Sequence, residues 1–110
     1  MNRANESNRK AVPFYETILL FCYLGKNDWL SANQSVDRSM RENDHSRYHA
    51  FKAVVLAHEG KIEESKEWLK KYQENRPEIK TIEDYEKVVP GPSQEVTDIL
   101  LDGMRKAGLK

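Results

Sequence analysis

The sequence predicts an all-α fold: two antiparallel helix pairs, a short helix and a C-terminal capping helix. Three observations carry that prediction. Apolar residues recur at spacings of three and four, the helical period, and nowhere alternate with period two over a useful length. Proline, glycine and capping residues cut these stripes into helix-sized pieces. The chain also matches itself when shifted by 33 residues.

Residues 1–11 are polar and without apolar period, so they read as a disordered lead-in to one domain over 12–110. Pro13 suits a first helical turn. Phe14–Leu24 follows, with nine apolar residues in eleven. A helix apolar all round is buried on more than one face. Gly25-Lys26-Asn27-Asp28 breaks it, and Asp28 can cap the next helix. That second helix carries Trp29, Ala32, Val36 and Met40 in one stripe, with Asn33, Gln34, Asp37, Arg38 and Arg41 on its outer face. Asn43-Asp44 ends it, and Asp44 or Ser46 opens the third.

The third helix runs to about His58, with Ala50, Phe51, Ala53, Val54, Leu56 and Ala57 inside, and Gly60 stops it. The fourth covers Ile62 to about Glu74. Its stripe is Ile62, Ser65, Leu69 and Tyr72, with Trp68 beside it, and Arg76-Pro77 closes it. Trp29 and Trp68 are both expected in the core. Thr81-Ile82-Glu83-Asp84 has the form of a capping box and opens a short helix to about Val88. Pro90-Gly91-Pro92 is a firm break. Ser93 then caps a last helix with Val96, Leu100, Met104 and Ala107 inward, and Gly108 ends it.

At the shift of 33, Ile18 falls on Phe51, Phe21 on Val54, Tyr23 on Leu56, Trp29 on Ile62, Ala32 on Ser65 and Val36 on Leu69. Repeat 1 then spans about 13–44, repeat 2 about 45–78, and the capping segment 81–109. The first copy reads Leu19-Leu20, Tyr23, Ala32, Val36, Asp44, and the second Lys52-Ala53, Leu56, Ser65, Leu69, Pro77. This pattern resembles the tetratricopeptide repeat family. The resemblance implies a right-handed array of helix pairs that binds proteins, with Ala32 and Ser65 small where helices cross closely. Other helical hairpins are the alternative. Residues 50–110 hold a second likeness, in Gly60–Ser65, Arg76-Pro77, Thr81–Tyr85 and Leu101–Leu109. These are similar to the C-terminal end of tetratricopeptide segments in bacterial multidomain signalling proteins, where they follow adenylate cyclase or winged-helix domains.

Composition narrows the function. Lys plus Arg and Asp plus Glu number 18 each, so the net charge is zero and no basic stripe marks a nucleic-acid binder. The longest apolar run, Ile18–Leu24, is far short of a membrane span, and no polybasic segment suggests a membrane surface. The single cysteine, Cys22, cannot make an intramolecular disulfide, and a reducing cytoplasm is the expected home. Its place in an apolar run predicts a buried, inert thiol. His45 and His49 are four apart, but no third ligand of sensible spacing accompanies them. No nucleophile elbow or phosphate-cradling glycine loop is present. The expectation is a non-enzyme without metal or cofactor.

What is left is a protein-binding surface. A terminal repeat needs a polar outer face, yet Phe14, Tyr15, Ile18, Leu19, Phe21 and Cys22 crowd the first helix. An apolar face of this kind predicts a homodimer in which each chain supplies the other's missing repeat. The alternative is a monomer whose C-terminal helix wraps round to cover it. The groove of such an array is lined by the first helix of each pair, here Thr17, Leu24, Arg47, Ala50, Val54 and His58. Arg47 is the single cation there, so an apolar or helical partner segment is expected rather than an acidic tail. The leading reading is a scaffold or adaptor. The second is a regulatory remnant of a larger bacterial signalling protein.

Overall fold

A computed structural model describes residues 17–42, 45–89 and 93–110. The expected lead-in, Phe14, Tyr15 and Asp44 lie outside the described residues. Within them the chain is all-α, without a strand. Helix α1 is described over 17–25. It is followed by α2 (Trp29–Glu42), α3 (Ser46–His58), α4 (Ile62–Asn75), α5 (Ile82–Glu86) and α6 (Gln94–Ala107).

The boundaries follow local chemistry. Asp28 Oδ1 accepts from Ser31 N at 3.2 Å and opens α2. The capping box at Thr81 is complete: Thr81 Oγ1 accepts from Asp84 N, and Asp84 Oδ2 accepts from Thr81 N. Ser93 Oγ accepts from Val96 N at 3.3 Å and opens α6. Gly108, at φ 110°, ends α6 in the left-handed conformation that costs glycine least. One cap differs from expectation. His45, not Asp44 or Ser46, caps α3, its Nδ1 accepting from Arg47 N at 3.2 Å.

The two interhelical turns share a set of backbone hydrogen bonds, with one more, Lys26 N to Tyr23 O, in the first. Asp28 N donates to Tyr23 O and Lys61 N to Leu56 O, both at 2.9 Å. Lys26 N donates to Cys22 O as Glu59 N does to Val55 O, and Asn27 N to Leu24 O as Gly60 N does to Ala57 O. Every pair is separated by 33 residues. The left-handed residue is Asn27 (φ 59°) in one turn and Gly60 (φ 84°) in the other. Glycine and asparagine are the two residues that tolerate this conformation best. Next along, Ala32 and Ser65 are both fully buried. Ser65 Oγ donates to Ala53 O at 2.6 Å, which satisfies the hydroxyl where α4 meets α3.

Helix α3 is the hub, packing against α2, α4 and α6. That explains its composition. Tyr48 and Val55 are buried along with all six residues expected inside, leaving no polar stripe. Helix α6 lies along α3 and also touches α4 and α5. Gly103 makes the approach possible: a Cβ there would stand 2.5 Å from Val54 Cγ1 and 2.9 Å from Val54 Cα. Leu100 and Met104 on either side of it are fully buried.

Candidate functional site

Three surface features could carry function, and α6 borders the first of them through Val96. The first is the α1 face. Leu20 and Leu24 are fully buried, and Phe21 packs edge-on against Phe51 with ring centroids 5.7 Å apart. The opposite side of α1 is open. Ile18 is 44% exposed, Cys22 is exposed, and Leu19 is half-buried. Ile18, Phe21 and Cys22 line a depression of about 310 Å³ whose remaining wall is Val96, at the start of α6. Among the described residues no charged side chain borders it. Cys22 is therefore not the buried thiol that its apolar run suggests. The run is helical, and Cys22 falls on the side of that helix that borders the depression.

The expected groove is not open. Leu24, Ala50 and Val54 belong to the core, and α6 packs directly on Val54 at Gly103. Thr17 is half-buried at the described start of α1. His58 is a clasp: its ring stacks on Trp29 at 4.3 Å, and its Nε2–H donates to Ile99 O at 3.0 Å. Arg47 alone of the six is exposed.

Arg47 helps to form the second feature, a cavity of about 200 Å³ where α3 begins, α4 ends and α5 crosses. Its polar lining is His45, Arg47, Tyr72, Arg76 and Tyr85, over Ala50, Phe51 and Val88. Arg76 Nε donates to Glu78 Oε2 at 2.6 Å. That hydrogen bond and its charge hold the Arg76 guanidinium above, and the Glu78 carboxyl below, their usual ranges. Burial raises the Tyr72 hydroxyl's pKa, against the nearby Arg76 charge. Burial pushes Tyr85 further up, with the neighbouring Tyr72 adding to it. No sequence signal marks this convergence, because Arg76 and Tyr85 are 29 and 38 residues from Arg47 and Tyr85 lies outside the repeat.

The third feature is a broad groove between α2 and α4, bordered by Asp37, Met40, Arg41, His49, Trp68 and Lys71. Lys71 Nζ lies 4.2 Å over the Trp68 ring, a cation–π contact that keeps the indole half-covered. Trp29 and Trp68 are half-buried against the core rather than within it. Above this groove Lys52 donates to Asp37 Oδ1 at 2.8 Å and to Asn33 Oδ1, while Asn33 Nδ2 donates to Glu59 Oε1 at 3.0 Å. This chain of bonds ties α2 to α3 and is structural. No group of three metal-ligating side chains occurs among the described residues, and no described helix is long and apolar enough to cross a membrane.

Sequence and fold comparisons bring no relative to bear. No family model, curated protein or solved structure matches the chain.

Proposed function

We propose that this chain is a non-catalytic protein-interaction module that self-associates through the open face of α1. The tetratricopeptide-like reading of its two helix pairs is supported by the turn hydrogen bonds that recur every 33 residues. The observation that carries the self-association is the uncharged depression bounded by Ile18, Phe21, Cys22 and Val96. A surface without charge gains nothing from a charged partner and most from another apolar face. A second copy offers one, by the same patch, in the geometry of a two-fold dimer. The formal net charge of zero removes the long-range repulsion that would keep two copies apart.

Sedimentation equilibrium of the full chain tests this, with wild type beside Ile18→Lys. Ile18 is exposed enough for the change to leave the fold intact. The expected result is a concentration-dependent dimer for wild type and a helical monomer for the variant. A wild type that stays monomeric to about 100 µM, a concentration at which even weak specific dimers populate, sinks the proposal. Cys22 supplies an independent probe. Its exposure on this face predicts that a short bis-maleimide joins two wild-type chains and spares Ile18→Lys.

A further inference from the structure

The groove between α2 and α4 shares no residue with the α1 face. It encloses about 710 Å³, within the span of roughly 300–1,000 Å³ usual for binding clefts. Its apolar surface comes from Met40 on α2 and Trp68 on α4, both half-buried against the core. Trp68 is held by its neighbours: the His49 ring lies 5.5 Å away, and Lys71 Nζ stands 4.2 Å over the indole. Tryptophan is the residue type that most often anchors an interface, and methionine adapts its shape to what it meets.

The charges around this surface do not balance. Asp37 is matched by Lys52 at 2.8 Å. Arg41 on α2 and Lys71 on α4 are exposed, and neither pairs with a carboxylate among the described residues. Glu67 precedes Lys71 by one helical turn, yet the ammonium lies over the indole instead. Two positive charges are therefore left without a counter-charge, in a chain whose net charge is zero. They stand on different helices across a broad groove, so they meet different residues of an extended ligand rather than one small group.

We propose that this groove docks an acidic segment of another protein, one that carries an aliphatic side chain between carboxylates. The aliphatic side chain rests between Met40 and Trp68. The flanking carboxylates pair with Arg41 on one wall and Lys71 on the other. The guanidinium fork takes a carboxylate edge-on. Lys71 moves from indole to carboxylate as the segment arrives, which uncovers the Trp68 face and keeps the ammonium partnered. A nucleic acid fits less well, because two cations are too few to follow a phosphate backbone.

Titration of the full chain by two-dimensional amide NMR tests this. The probe is the capped peptide acetyl-Glu-Glu-Leu-Glu-Glu-amide. Beside it run a version with glutamine for glutamate, a version with alanine for leucine, and a thymidine oligonucleotide of about eight residues. Saturable shifts centred on Asp37–Arg41 and Trp68–Lys71 are expected with the acidic leucine peptide, weakening as salt rises from about 20 mM to about 500 mM. Each altered peptide should bind about fivefold more weakly or worse. Arg41→Glu and Lys71→Glu change exposed side chains and should each lower affinity about fivefold. The double reversal should instead prefer acetyl-Lys-Lys-Leu-Lys-Lys-amide, a switch that a merely structural role would not produce. The proposal is overturned by a lack of saturation up to about 5 mM, by equal binding of either altered peptide, or by tighter binding of the oligonucleotide. Shifts centred on α1, or a double reversal that still prefers the acidic peptide, overturn it too.

Discussion

The two helix pairs share a register and a turn, yet equivalent positions in them have opposite fates. Ile18 is 44% exposed, and Phe51, 33 residues on, is 1% exposed. Cys22 is exposed, and its counterpart Val55 is fully buried. Phe21 is half-buried, and its counterpart Val54 is fully buried. The local code is nearly the same in both copies: four backbone hydrogen bonds of the two turns recur 33 residues apart, although Asp28 caps α2 with its side chain and Lys61 does not cap α4. What differs is the neighbour. Helix α6 lies along α3, while beside α1 its Val96 lines an open depression with Ile18, Phe21 and Cys22. A repeat thus fixes which side chains point outward from a hairpin, and the next layer decides whether outward means solvent or core.

The largest expected effect tests that contrast directly. Phe51→Ala should cost about 3–5 kcal/mol, the range for emptying a packed aromatic site. Ile18→Ala, at the equivalent position, should cost about 1 kcal/mol or less, because only part of that side chain leaves water on folding. Urea unfolding at low micromolar concentration, with unchanged slope, measures both. Equal losses would mean that α1 is as covered as α3.

A second pair sharpens the role of α6. Gly103→Ala should destabilise by about 1–3 kcal/mol, since its Cβ would run into Val54 backbone as well as side chain. Gly25→Ala meets nothing within 4 Å and should stabilise by about 0.5 kcal/mol through reduced freedom of the unfolded chain. If Gly103→Ala were neutral, α6 would sit less tightly on α3 than the backbone places it.

The smallest expected effect separates the two turns. Gly60→Ala should cost about 1 kcal/mol, because φ at 84° is unfavourable for any residue with a Cβ although space is available. Asn27→Gly, at the matching position, should gain about 0.5 kcal/mol at most. Thermal midpoints of the two variants moving in opposite directions would show that the turns are conformational equals with different residues in the left-handed seat.

Much of the fold was legible because it is local. The stripe Trp29, Ala32, Val36, Met40 faces α3 as its spacing demands, and the Thr81, Ser93, Gly60 and Gly108 boundaries follow from capping geometry within a few residues. The groove was misread for a definite reason. Sequence periodicity shows that Ala50 and Val54 belong to the first helix of a pair, but not that both would be buried, Val54 beneath α6. Helix α6 itself was read as a cap for the second repeat. The glycine that lets it come close enough to bury Val54 is a single position inside a sound helical stripe. The cavity holding Arg47, Arg76 and Tyr85 left no trace at all, since those residues meet only where three helix ends converge.

The sequence by itself determined the helices, their ends and the 33-residue register, because each depends on interactions spanning a turn or two of backbone. Only the tertiary structure decided which copy of the repeat stays open and which polar groups meet at the helix ends. Those outcomes depend on where α6 lies, and its position is set by the summed packing of Leu100, Gly103 and Met104 against a helix more than 40 residues away. No short stretch of the chain encodes that sum.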